Sequence, residues 1–169
     1  MSDIKKYEVK APYLNLHASL GEGPFWEKTK DTLRFVDIIK RKLHFVNLSA
    51  GPSSLETWDQ DFSIGTTADI EGNDDEFVFG GKLGYGIMNR STRESRWVAK
   101  MWSDDERRQD GGGKEGKGGS REERMRSNDG AVDVNGRYFV GAMNDPMVVD
   151  IGDEGKSPQP NDRLQAEVC

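Results

Sequence analysis

Cysteine is nearly missing from this sequence: Cys169, the final residue, is the only one. An internal disulfide and a cysteine metal cluster are therefore both excluded. No stretch approaches the roughly 20 consecutive apolar residues that a membrane helix requires. The opening MSDIKKYEVKAPYLN has lysines without an apolar segment behind them, so no secretory leader is expected, and with it a cytoplasmic location and no membrane partner. Positive charge is also short. The net charge is -6 and no basic face stands out, which argues against a nucleic-acid partner.

Apolar residues are scarce as well, at 34%, but the deficit is local. Residues 103–124 contain no apolar side chain at all, and residues 153–169 contain only Leu164, Ala166, Val168 and Cys169. Without these two stretches the apolar share is about 41%, enough for a foldable domain. The first stretch mixes acidic and basic residues with six glycines, and is expected to be a disordered, solvated insertion.

What is present reads as strand. LRFVDI (33–38), KLHFVNL (42–48), EFVFGG (76–81) and RYFVGAM (137–143) are short, aromatic and β-branched, and turn residues bound each of them. In KLHFVNL, Leu43, Phe45 and Asn47 fall on one side and His44 and Val46 on the other. No stretch sustains the period of an amphipathic helix, so the chain is expected to be all-β.

These strands recur. Aromatic strands begin at 33, 76 and 138, and the second interval shortens to 40 residues once the 22-residue polar tract is removed. A period of 40 to 45 residues with several short strands per unit is the signature of propeller blades. The expected organisation is a lead-in over 1–17, blades one and two over 18–102, the insertion over 103–124, a partial third blade over 125–152 and an irregular tail over 153–169. The units themselves run over 18–60, 64–102 and 126–151. About three blades is short of the four to eight that close a ring, which leaves open edges through which copies could associate.

Two strings carry the candidate chemistry. Leu20-Gly21-Glu22-Gly23-Pro24-Phe25-Trp26 brackets a carboxylate between glycines, so the backbone can come close to an ion or ligand; a tight turn with Glu22 facing solvent is the alternative. Arg126-Ser127-Asn128-Asp129-Gly130 supplies donors and acceptors suited to a polyhydroxylated ligand, with Arg126 and Asn128 on one side of a strand and Ser127 on the other. Its alternative is an Asn-Asp-Gly turn with a surface arginine. His17 and His44 lack the partners of a metal or catalytic site. Trp26, Trp58, Trp97 and Trp102 are expected in the core.

Together with the blade period, LGEGPFW and RSNDGAVDVNGRYFVGAM (126–143) resemble the senescence marker protein (regucalcin), gluconolactonase and luciferin-regenerating enzyme family. That resemblance implies part of a six-bladed propeller with a divalent metal near its axis, hydrolysing sugar-type lactones. It implies Glu22 as a metal ligand and Arg126 and Asn128 as substrate contacts. Oxygen ligands would suit calcium, magnesium or manganese, and zinc also binds such donors. The family's remaining asparagine and aspartate ligands, the latter its expected base, come from later blades that have no counterpart here, so no catalytic residue is identified. After the G-x-M strand, where the family places an acidic substrate contact, Pro146 takes the matching position and Asp145 is the nearest carboxylate. The resemblance thus implies a truncated lactone hydrolase. The alternative is a partial propeller acting as a weak metal-binding or interaction module, or an inert fragment.

Overall fold

The computed structural model describes residues 4–108 and 120–148. The fold is almost entirely β. The first unit is a four-stranded antiparallel meander of β1 (Gly21–Glu27), β2 (Thr32–Asp37), β3 (Lys42–Asn47) and β4 (Glu56–Asp59). The second repeats it with β5 (Ile64–Ile70), β6 (Asn73–Gly81), β7 (Gly84–Asn89) and β8 (Ser95–Lys100). The third unit contributes two strands, β9 (Met125–Val132) and β10 (Tyr138–Asn144). The described residues thus form two four-stranded sheets and one two-stranded sheet in chain order.

Two boundaries differ from the expectation. Asn73–Asp75 belongs to β6 rather than to the preceding turn, because Gly72 alone takes the left-handed conformation (φ 71°) that reverses the chain. The polar insertion, expected to be disordered throughout, carries a helical turn at each end, α1 (Asp104–Arg108) and α2 (Arg121–Arg124). α2 forms because Ser120 and Glu123 make a reciprocal capping box, each side chain taking the other's backbone N–H. The rest of that tract and the tail over 153–169 lie outside the described residues.

The core is the seam between the first two blades. Val36, Leu43, Phe45 and Trp58 face Ile64, Phe77, Phe79 and Met88 across it. Phe45 and Phe77 meet edge to face at 6.3 Å, and Phe62, Phe79 and Trp97 form a second aromatic cluster. The tryptophans divide. Trp58 is buried and Trp97 packs on the core, but Trp26 is 54% exposed. Trp102 lies beyond β8, under the Arg121 guanidinium. Trp26 falls outside because the β1 face bearing Phe25 and Glu27 is the one turned inward.

β3 is buried on both faces, so its alternation does not separate core from solvent. His44 stacks on Phe35, and its Nδ1 lies 2.9 Å from Thr57 Oγ1. Burial pushes the imidazole below its ordinary pKa. It is a packed core histidine.

The third unit docks through Tyr138, whose ring meets Tyr85 edge to face at 5.9 Å. Burial pushes the Tyr138 phenol up to about 12. An unfolded tyrosine ionises near pH 10, so the stabilisation is complete below that value and is lost as pH rises through about 12. Urea midpoints measured from pH 9 to 12 are expected to fall, and Tyr138→Phe should flatten the fall. An unchanged slope in the variant would disprove this assignment.

Candidate functional site

The first strands of the three units, β1, β5 and β9, lie side by side. Glycine makes this approach possible. A Cβ on Gly65 would sit 2.1 Å from the backbone oxygen of Asn128, and one on Gly23 would lie 3.3 Å from the oxygen of Gly65. Ser127 is fully buried and fixes the junction: its Oγ donates to Gly80 O at 2.7 Å and accepts from Gly65 N at 3.2 Å.

Glu22 opens β1 opposite Val36. The string around it is strand, not tight turn. Pairing shifts between Glu22 and Phe25, and Gly23 adopts φ 58° at the bulge. Glu22 is exposed. Its backbone approach is held by Asp37, which accepts from Ser19 N, Leu20 N and Lys40 N at 2.8, 3.2 and 3.0 Å. Burial pushes the Asp37 carboxyl up, but the three N–H donors outweigh it and hold the group below its ordinary value.

Arg126 and Asn128 share a side of β9. Arg126 Nη1 donates to Asn128 Oδ1 at 3.1 Å and to Ser127 O at 2.9 Å. The arginine is only 3% exposed, so it is not the surface residue of a simple turn. Its Nε lies 3.6 Å from Asp145 Oδ1. The chain thus brings Asp145 to Arg126, although Pro146 holds the matching position in sequence.

Beside Arg126 opens a groove of about 630 Å³, bounded by the β2–β3 turn, the segment before β5 and the chain after β10. Neither Glu22 nor Asn128 lines it. Lys82 does, and its Nζ donates to Glu123 O and Met125 O at 2.8 and 3.1 Å, tying the second blade to the residues just before Arg126. Burial pulls the Lys82 ammonium below its ordinary pKa despite the nearby Asp145 carboxylate. Lys82 stands in the turn between β6 and β7, and its place between two units makes it a tie.

A second polar cluster, also unseen in the sequence, lies between the first two blades. Arg34, 0% exposed, donates to Glu27, to Asp69 Oδ1 at 3.1 Å and to Thr67 Oγ1 at 2.9 Å. Arg90 donates to the same two carboxylates at 2.7 and 2.9 Å. Both guanidinium groups lie over the Phe77 ring. The available signal was Arg34 sharing the Val36 face of an aromatic strand.

No group of three His, Cys, Asp or Glu side chains able to hold a metal ion occurs among the described residues. Glu22 supplies one oxygen-bearing group where calcium takes six to eight oxygens. These residues alone do not fit a metal centre. Among them, too, no helix is long and apolar enough to cross a membrane.

Among curated proteins, none matches the chain. Solved structures do. A calcium-binding protein, regucalcin from Agrobacterium tumefaciens, superposes with a TM-score of 0.59 at 23% identity, covering 74% of this chain and 35% of its own. A luciferin-regenerating enzyme gives 0.56 at 20% identity, covering 75% and 36%. The chain therefore spans about a third of the length of these structures, and its two and a half blades are part of a propeller of that type. A profile of the SMP-30/Gluconolactonase/LRE-like region matches residues 20–156, a span that takes in the glycine-bracketed Glu22 and the Arg126–Asn128 strand. The chain belongs to the SMP-30/gluconolactonase/LRE-like family.

Proposed function

We propose that this chain serves the hydrolysis of a sugar-type lactone, with Arg126 and Asn128 holding the substrate and Glu22 as one ligand of a divalent metal. The observation that supports the reading is the close approach of the first strands that carry Glu22, Arg126 and Asn128, which Gly23 and Gly65 permit. Arg126 Nη1 fixes the Asn128 carbonyl oxygen, which turns the amide N–H groups outward toward ring and hydroxyl oxygens of a ligand. Asp145 balances the arginine's charge, so the pair suits a neutral lactone better than an anion. Held in this way, the ester carbonyl keeps one orientation toward attacking water.

A divalent metal would polarise that carbonyl when bound, and the printed description of the regucalcin structure as calcium-binding accords with a metal of this kind. Because the described residues contribute Glu22 alone to such a centre, the chain by itself is expected to bind calcium more weakly than micromolar and to turn over little. Paired copies meeting through open sheet edges would add a second Glu22 without the family's aspartate base; light scattering distinguishes them from a monomer.

Substrate recognition is testable apart from turnover. A gluconolactam, whose ring N–H replaces the labile ester oxygen, is expected to bind, and Asn128→Ala should weaken it about five- to tenfold, the worth of one or two hydrogen bonds. Equal binding by the variant would overturn the substrate assignment. Gluconolactone hydrolysis with and without EDTA, run beside Glu22→Ala, tests the metal ligand: chelator-sensitive activity that survives in the variant would remove Glu22 from that role. A non-enzymatic binding module is the second reading, favoured by the missing carboxylate cluster; lactam binding without any hydrolysis is its expected signature.

A further inference from the structure

Exposed apolar surface is unevenly distributed over the molecule. Of the twelve large hydrophobic side chains exposed among the described residues, the two four-stranded units contribute only Trp26, Leu48 and Val98. Four belong to the lead-in, where Ile4, Tyr7 and Val9 are 86%, 85% and 87% exposed and Tyr13 is 53% exposed. The other five fall between Val132 and Val148, in and just after the third unit. Apolar surface left in water is thus concentrated at two places, which is the mark of an interaction site.

The two places are complementary in kind. Residues 6–11, KYEVKA, alternate as a strand does, with Tyr7, Val9 and Ala11 on one side and Lys6, Glu8 and Lys10 on the other. Pro12 closes the run. Within its own chain, however, this segment forms no strand. β10 offers the partner it lacks. Among the described residues β10 pairs with β9 alone, so its other edge presents unpaired N–H and C=O groups. The outer strands of the first two units are guarded by charge, β4 by Glu56 and Asp59 and β8 by Arg96 and Lys100. β10 is seven residues long and none of them is charged. Charge favours the approach as well: residues 4–16 carry three lysines against one glutamate, while the whole chain stands at -6.

We propose that the lead-in of one copy adds as a strand to the free edge of β10 in a second copy. Main-chain hydrogen bonds supply the affinity, and Tyr7 and Val9 cover apolar surface beside β10. Exchange in both directions gives a two-fold pair in which each copy is donor and acceptor. The lead-in does not fill the edge of its own chain, since Tyr7 and Val9 stay exposed there. The pairing uses neither Glu22, Arg126 nor Asn128, and it holds whether or not the lactone reading does.

The test is light scattering on the full chain, joined to hydrogen exchange at low and high protein concentration. The parent is expected to dimerise, with residues 6–11 and 138–144 gaining protection as it does so while β4 and β8 gain none. Successive N–H groups of a strand point to opposite edges, so in the double variant Glu8→Pro, Val9→Pro one of the lost N–H groups faces β10. That variant should associate about tenfold more weakly, with one hydrogen bond lost at each of two contacts. Both substituted residues are exposed, and circular dichroism establishes that the variant is folded. A monomeric parent, a folded variant that pairs as tightly, or protection gained at β4 or β8 in place of β10 overturns the proposal. Full protection of β10 at low concentration does so too, because the edge is then filled from within the chain. Gluconolactam binding is read separately and decides only the lactone assignment.

Discussion

Replacing Glu27 by alanine is expected to destabilise the fold by about 3–5 kcal/mol. The glutamate is 3% exposed and accepts from both Arg34 and Arg90. Without it, two guanidinium groups face each other over the Phe77 ring with Asp69 as their shared remaining carboxylate. Burial already pulls the Arg34 guanidinium below its ordinary pKa, and Glu27 is the foremost group opposing that pull. Alanine removes the compensation and leaves a buried charge. Glu27→Gln retains an acceptor of the same shape and should cost less. Added salt should rescue neither, because screening reaches a buried cluster poorly. Urea denaturation of the three proteins checks the order. A loss below about 1 kcal/mol in Glu27→Ala, the scale of an exposed pair, would show that the cluster does not join the blades.

Gly65→Ala is expected to act on the other seam. Its new Cβ would stand 2.1 Å from the Asn128 backbone oxygen, a contact no flexible side chain can relieve. Either β5 or β9 must move, and overpacking of this kind costs about 1–3 kcal/mol, or more where backbone is the obstacle. β9 has the weaker hold, since its sheet has two strands while β5 is the edge strand of a four-stranded sheet. The Gly65 N–H to Ser127 bond would go with it. Hydrogen exchange should therefore show β9 and β10 losing protection while β2, β3 and β6 keep theirs. Lactam affinity should fall in parallel, because Asn128 and Arg126 ride on the displaced strand. Uniform loss of protection in both blades would mean that the units do not open separately.

The two substitutions address different ties, and the difference bears on function. Glu27 joins the first and second blades through charge. Gly65 joins the second to the third by permitting contact between their first strands. The candidate site depends on both ties, since Glu22 stands on the first unit and Arg126 and Asn128 on the third.

Strand positions, repeat period and the two motif strings were legible in the sequence because they follow from local patterning: alternation, turn residues and glycine spacing act over a few residues. They were enough to expect blades and to single out Glu22, Arg126 and Asn128. Local patterning could not show that Trp26 faces solvent, since its alternation partner Phe25 is equally aromatic and either face could have turned inward. Nor could it show that Arg34, a charged residue, is completely enclosed; that is energetically acceptable only because the carboxylates of Glu27 and Asp69 arrive from two other segments. The same holds for Lys82 and Asp145, ordinary polar residues that meet Arg126 and its neighbours only where separate units come together. By itself the sequence determined the aromatic strands at 33–38, 42–48, 76–81 and 137–143, their spacing and which residues carry candidate chemistry. The tertiary structure alone decided which polar groups are removed from water and which partners they meet, because desolvation and pairing depend on neighbours distant in the chain.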